Sequence, residues 1–158
     1  MTLFQACTRR CALRHQLCLV LCAASIALSA SVAAQTQAQT VAEVDATLDA
    51  LFGTHAPYKS FLEALQNAVA ADDRQAIANL VDYPLRTRIN GKTVTIKDAS
   101  QFIARYDGIV TAKLRRAVAE QSYANLFANW QGVSIGDGEL WFSGIGNADV
   151  VRIIAINN

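Results

Sequence analysis

Leu85-Arg86-Thr87-Arg88-Ile89-Asn90-Gly91-Lys92-Thr93-Val94-Thr95-Ile96 is the stretch that decides the fold. Two runs rich in β-branched residues flank Asn-Gly, the dipeptide that accepts the positive φ angles of a type I′ turn. Alternation leaves Leu85, Ile89, Val94 and Ile96 for buried positions, so the stretch reads as a β-hairpin with one face on a core. Upstream of it the apolar period is helical. Thr40-Val41-Ala42-Glu43 fits a capping box, and Val41, Val44, Leu48 and Leu51 follow at 3-4-3 spacing up to Gly53. This stripe packs on the domain or, alternatively, forms a homodimer seam. Pro57 suits the first turn of a second helix whose apolar face is Phe61, Leu62, Leu65, Ala68 and Val69. Asp72-Asp73 breaks it and caps a third helix through Ala76, Ile77, Leu80 and Val81, which Pro84 terminates.

Downstream, Asp98-Ala99-Ser100-Gln101 opens a helix through Phe102, Ile103 and Tyr106. Gly108 interrupts the pattern, which Ile109, Leu114, Ala117 and Val118 carry to about Gln121. Sheet follows. A strand from Leu126 to Ile135 turns at Gly136-Asp137-Gly138, Glu139 to Phe142 returns, and Ser143 to Asp149 leads into a final apolar strand, Val150 to Ile156. That last run is β-branched on both faces, so it belongs inside the sheet with helices over at least one side. Helices, a hairpin, a helix and then an antiparallel meander give an α+β domain: a curved antiparallel sheet with N-terminal helices and one long helix packed on one face.

The order and several motifs resemble the nuclear transport factor 2-like superfamily, the cone-shaped fold also seen in ketosteroid isomerase and in many small exported bacterial proteins. The motifs are Phe61-Leu62-x-Ala64-Leu65, Asp72-Asp73-x4-Ala78-x-Leu80-Val81, Tyr83-Pro84-Leu85 and Ile96-Lys97-Asp98 before Phe102 and Tyr106. Gln131-Gly132-Val133 through Trp141-Phe142 and the ending Ile153-Ile154-Ala155-Ile156-Asn157 complete the set, over a core of residues 52–158. The resemblance implies a pocket between sheet and helices, and it is nearly silent on chemistry because this architecture hosts many functions.

The first 34 residues have the anatomy of an export signal. Arg9, Arg10 and Arg14 precede the uncharged run Leu17 to Leu28, and Ser31-Val32-Ala33-Ala34 supplies the small residues of a cleavage site. Thr8-Arg9-Arg10 resembles a twin-arginine signal, so both the unfolded and the twin-arginine export routes stay open. The strongly apolar part is about a dozen residues, short of the ~20 that span a bilayer. A cleaved signal over residues 1–34, a disordered tether over 35–39 and a single domain over 40–158 follow, in the periplasm or secreted. All four cysteines, Cys7, Cys11, Cys18 and Cys22, fall inside the signal. Residues 35–158 then keep one histidine, His55, and no cysteine, which argues against a structural metal site.

Eleven Lys and Arg against thirteen Asp and Glu in residues 35–158 give no footprint for nucleic acid. Lys113, Arg115 and Arg116 read as a solvated helix face. Gly136-x-Gly138 is a hairpin turn rather than a phosphate cradle, and no cofactor is called for. Tyr106, Asn129, Trp130, Gln131 and Trp141 are the expected ligand-binding set. Asn129 and Gln131 are two apart on the strand, on one face; Trp130 and Trp141 form the pocket wall; Tyr106 and Asp107 lie near its mouth. The expected function is a non-catalytic exported domain that binds a small apolar or peptide-like ligand, or an envelope protein. The alternative is a cofactor-free isomerase, cyclase or hydrolase with Asp107 or His55 as base. Intact-mass measurement of the protein from an envelope fraction is expected to place the N-terminus at Ala34 or Gln35, with no thiol. A retained, lipid-bearing Cys22 contradicts this.

Overall fold

The computed structural model describes residues 39–146 and 150–157. The proposed signal, its four cysteines, nearly all of the tether, residues 147–149 and Asn158 lie outside them. The first helix, α1 (Val41–Phe52), starts at a complete capping box. The Glu43 amide donates to the Thr40 hydroxyl at 3.3 Å, and the Glu43 carboxylate accepts from the Thr40 amide at 2.7 Å. Gly53, at φ 83°, closes it in the left-handed region that glycine enters at no steric cost. Val44 and Leu48 are buried, whereas Val41 and Leu51 are exposed, so only half of the apolar stripe packs inward.

Helix α2 (Ala56–Ala70) buries Tyr58, Phe61, Leu62, Leu65 and Ala68. Helix α3 (Arg74–Asn79) is capped by Asp73, whose carboxylate accepts from the Ala76 amide at 2.9 Å. Leu80 and Val81, expected to continue this helix, leave it. Val81 instead bridges Ile153 in parallel, with Ile153 N–H donating to Leu80 O at 2.8 Å and Asp82 N–H to Ile153 O at 2.9 Å.

The hairpin forms as its sequence requires. Strands β1 (Leu85–Ile89) and β2 (Lys92–Ile96) pair from Leu85↔Ile96 to Ile89↔Lys92. Asn90 and Gly91 take φ 52° and 75°, the signs of a type I′ turn. Leu85, Thr87 and Ile96 are buried, and Ile89 and Val94 half-buried, on the inner face.

The one long helix expected next is three short ones: α4 (Ala99–Ala104), α5 (Tyr106–Ile109) and α6 (Ala112–Glu120). Asp98 caps α4 through the Gln101 amide at 2.8 Å, but Gln101 reaches back to the Lys97 amide at 3.2 Å, one residue short of a full box. Val110 leaves helical geometry at ψ 72°, and Thr111 restarts it by accepting from the Leu114 amide at 3.3 Å. Three consecutive β-branched residues after Gly108 favour helix poorly, and a threonine hydroxyl competes well as a cap.

After a 3₁₀ turn at Tyr123–Asn125 come β3 (Phe127–Asn129), β4 (Gly132–Ile135), β5 (Leu140–Ile145) and β6 (Val150–Ile156). They form an antiparallel sheet in that order. The single strand expected from Leu126 to Ile135 is thus two, folded at Trp130-Gln131. Asn129 Oδ1 accepts from the Gln131 amide at 2.8 Å. Asn at the first and Gly at the fourth position is the signature of a type I turn, and it overrides the apolar run. Val133, Ile135, Leu140, Phe142, Val151, Ile153 and Ile156 are buried beneath the helices, and the rings of Phe61 and Phe142 stack at 4.8 Å. The domain is therefore α+β, helices followed by antiparallel sheets. Among the described residues no helix is long and apolar enough to cross a membrane.

The last strand carries a bulge. Trp141 pairs with Ala155 and Phe142 with Ile153, so Ile154 is the extra residue and is half-buried, whereas Ile153 is fully buried. Ile153→Asp should abolish the cooperative melt, because an unpaired buried carboxylate costs several kcal/mol of the ~5–15 kcal/mol a domain has. Ile154→Asp should fold, with a modest loss of melting temperature. Equal damage from both substitutions contradicts this register.

Candidate functional site

The space between the four-stranded sheet and the helices is filled by side chains. Tyr58, Phe102, Tyr106 and Phe142 are among the largest fully buried residues. The Tyr58 ring stacks on Phe52 at 4.7 Å, and its hydroxyl accepts from the Gly144 amide at 3.1 Å. Tyr106, expected at a pocket mouth, is 1 % exposed. Its hydroxyl donates to Asp72 at 3.1 Å, and the Arg74 and Arg115 guanidiniums lie 4.5 and 5.3 Å from its ring centre. Burial, and then the Asp72 bond, push this phenol above its ordinary range.

Asp107 is exposed but engaged. Arg74 clamps it through two bonds of 3.0 and 3.3 Å, and Arg115 stands at 3.8 Å. Arg115 also pairs with Asp72 at 3.3 Å and donates to Val110 O at 3.1 Å, so it is a tie between helices rather than part of a solvated basic face. The carboxylate is thereby engaged in a bidentate, charge-assisted pair with Arg74.

His55 is tied on one side. Its Nδ1 lies 2.8 Å from the Asp49 carboxylate, and its Nε2 is 4.0 Å from Asp45, which accepts from the Tyr123 hydroxyl at 2.7 Å. The cluster joins α1 to the start of α2 and to the 3₁₀ turn. Asp49 orients the imidazole as a catalytic dyad would. Among the described residues, no serine or cysteine is bonded to its other nitrogen.

The aromatic set separates. Trp130 stands at the tip of the β3–β4 turn, 81 % exposed, so it walls no interior pocket. Gln131 shares that exposed tip, and Asn129 is committed to the turn, so the two do not share a strand face. Trp141 lies on the outer sheet face, edge-on to Phe127 at 6.2 Å.

Among the concave features with mixed chemistry, one joins the hairpin to the helices that follow it. A groove of about 470 Å³ runs between the hairpin and α4–α5. Ile89, Val94, Ala104 and Gly108 form its apolar floor; Asn90, Lys92, Arg105 and Asp107 form its rim. Gly108 is required for the close fit, since a Cβ there would come within 2.9 Å of Ile89 Cγ2. Asp107 is neutralised by Arg74, whereas Lys92 and Arg105 have no ion-pair partner among the described residues. Of the groove's residues the sequence singled out only Asp107 as a site candidate. Lys92 and Arg105 could have been noticed only by joining hairpin register to helix phase. No cluster of three or more His, Cys, Asp or Glu is arranged to hold a metal among the described residues. Comparison with protein-family models, with curated proteins and with solved structures finds no match for this chain.

Glu139 also escaped the sequence reading. It is 6 % exposed, pairs with Lys113 at 2.9 Å and accepts from the Asp137 amide at 2.6 Å. These bonds, led by Lys113, hold its carboxyl below the ordinary value of 4.5. A folded-state value below the unfolded one stabilises at pH above the ordinary value, and the stabilisation disappears as pH falls through the folded value. Glu139→Gln should therefore lower the melting temperature at neutral pH, and the gap should close on titration below about 4.5. A gap that persists or widens in acid contradicts the assignment.

Proposed function

We propose that this chain is an exported, non-catalytic binding domain of nuclear transport factor 2-like architecture. Its ligand, a small molecule or peptide-like segment with an apolar body, lies in the groove between the hairpin and α4–α5. One observation carries this reading: an apolar floor rimmed by two cations with no ion-pair partner among the described residues, in a domain whose interior is packed with aromatic rings. The volume falls within the ~300–1,000 Å³ typical of small-ligand sites. The order of helices, hairpin, helices and meander supports the architecture, and the charged–apolar–small order of residues 1–34 supports export.

The catalytic alternative retains one favourable observation, the His55–Asp49 pair. It stands apart from the groove in the elements that form it, so the two readings separate by experiment. In a titration of ¹⁵N-labelled residues 35–158 with hexanoate, hexanol and hexylammonium, hexanoate should shift the amides of Gly91, Val94 and Gly108 most. His55→Gln should leave those shifts unchanged. Shifts confined to Tyr58 and Phe142, or to the surroundings of His55, contradict the groove assignment.

A further inference from the structure

The groove continues into an open sheet edge. Among the described residues β2 pairs with β1 alone. Its two-residue turn makes Ile89↔Lys92 the hydrogen-bonded closing pair, so Thr87↔Val94 and Leu85↔Ile96 are bonded as well. The alternate pairs, Arg88↔Thr93 and Arg86↔Thr95, point their backbone groups away from the partner strand. Thr93 and Thr95 thus present N–H and C=O groups along the free edge of β2. The side chains of Lys92 and Val94 on the inner face line the groove, while Arg86, Arg88, Thr93 and Thr95 lie exposed on the outer face.

Charge is segregated onto this part of the domain. Residues 85–105 contain five cations, Arg86, Arg88, Lys92, Lys97 and Arg105, and one carboxylate, Asp98. The rest of residues 39–158 carries six cations against twelve carboxylates. The one acidic group on the groove rim, Asp107, is held by Arg74. The hairpin and the segment that follows it to Arg105 are therefore net positive while the remaining residues are net negative, and opposite charge on a partner would both steer and orient its approach.

Resting on the groove as the binding site, we infer that the ligand is an extended, carboxylate-bearing peptide segment that adds to β2 as a third strand. Main-chain bonds to Thr93 and Thr95 supply affinity that does not depend on side chains. The period of two then sends alternate peptide side chains to the two faces. Apolar ones lie over Ile89, Val94 and Ala104, and carboxylates meet Arg86 and Arg88 on the outer face or Lys92 and Arg105 at the groove ends. An anionic membrane surface would satisfy the cations without using the free backbone of β2, which makes a peptide the better fit.

The probe is a ten-residue peptide alternating valine and glutamate, titrated into ¹⁵N-labelled residues 35–158 at low salt. The controls are its valine–lysine counterpart, the same peptide N-methylated at alternate residues, and phosphatidylglycerol vesicles. The expected result is saturable binding of the glutamate peptide, with the largest shifts at Thr93 and Thr95. N-methylation and Lys92→Glu with Arg105→Glu should each weaken it at least tenfold, whereas Arg116→Glu should leave it unchanged. The N-methyl control needs no protein variant, so misfolding cannot mimic the result. Equal affinity for the N-methylated or the lysine peptide overturns the inference, and so does vesicle binding without peptide binding. Hexanoate binding without glutamate-peptide binding overturns this inference while sparing the groove; failure of both removes the groove as well.

Discussion

Ile153 donates to Leu80 O and accepts from Asp82 N–H on one edge of β6, while β5 occupies the other edge. Three residues on, the carbonyl of Ile156 accepts from the buried hydroxyl of Thr87 at 2.9 Å. A strand buried in a core must satisfy its main-chain groups on both sides, or lose ~1–3 kcal/mol for each one orphaned. Here the segment that leaves α3 and the first strand of the hairpin supply those partners. Much else depends on this seam. α3 has to end at Asn79 for Leu80 and Asp82 to reach the strand, β1 has to lie alongside the end of β6, and β2 is left facing outward.

The same closure explains why the proposed binding site lies on the surface. Once β6 is flanked on both edges and the helices lie over its inner face, Tyr58, Phe61, Phe102, Tyr106 and Phe142 fill the volume between them. Close-packed interiors leave little room beyond isolated voids. Two residues that looked chemical in the sequence are tied to the segment around the start of α3. The Tyr106 hydroxyl is held by Asp72, and Asp107 is locked onto Arg74. What stays available is the edge that the seam does not use, with the cations around it.

Local signals were legible where one or two residues dictate a backbone state. Asn90-Gly91 specified the hairpin and its register, Thr40 and Glu43 the start of α1, and Asp73 the start of α3, each through a bond that closes within four residues. Misreadings arose where apolar periodicity ran across a cap or a turn. Thr111 restarts a helix inside what looked like one pattern, and Asn129 with Gly132 folds a run that looked like one strand. Long-range facts were out of reach. Nothing near Val81 announces Ile153, nothing near Glu139 announces Lys113, and the bulge that turns Ile154 away from the core depends on pairing with Trp141 and Phe142. The groove joins residues of the hairpin to residues of α4 and α5. Its charge imbalance lies in the local order of residues 85–105, which the overall composition masks, and its convergence lies only in the fold.

Amide hydrogen exchange on residues 35–158 tests the seam and the open edge together. The amides of Ile153 and Asp82, bonded across β6, should exchange only through global unfolding and belong to the slowest class. Those of Thr93 and Thr95, which point away from β1, should exchange orders of magnitude faster. Ile153 and Asp82 exchanging as fast as Thr93, or Thr93 and Thr95 protected as well as Ile153, would contradict a domain closed at β6 and open at β2.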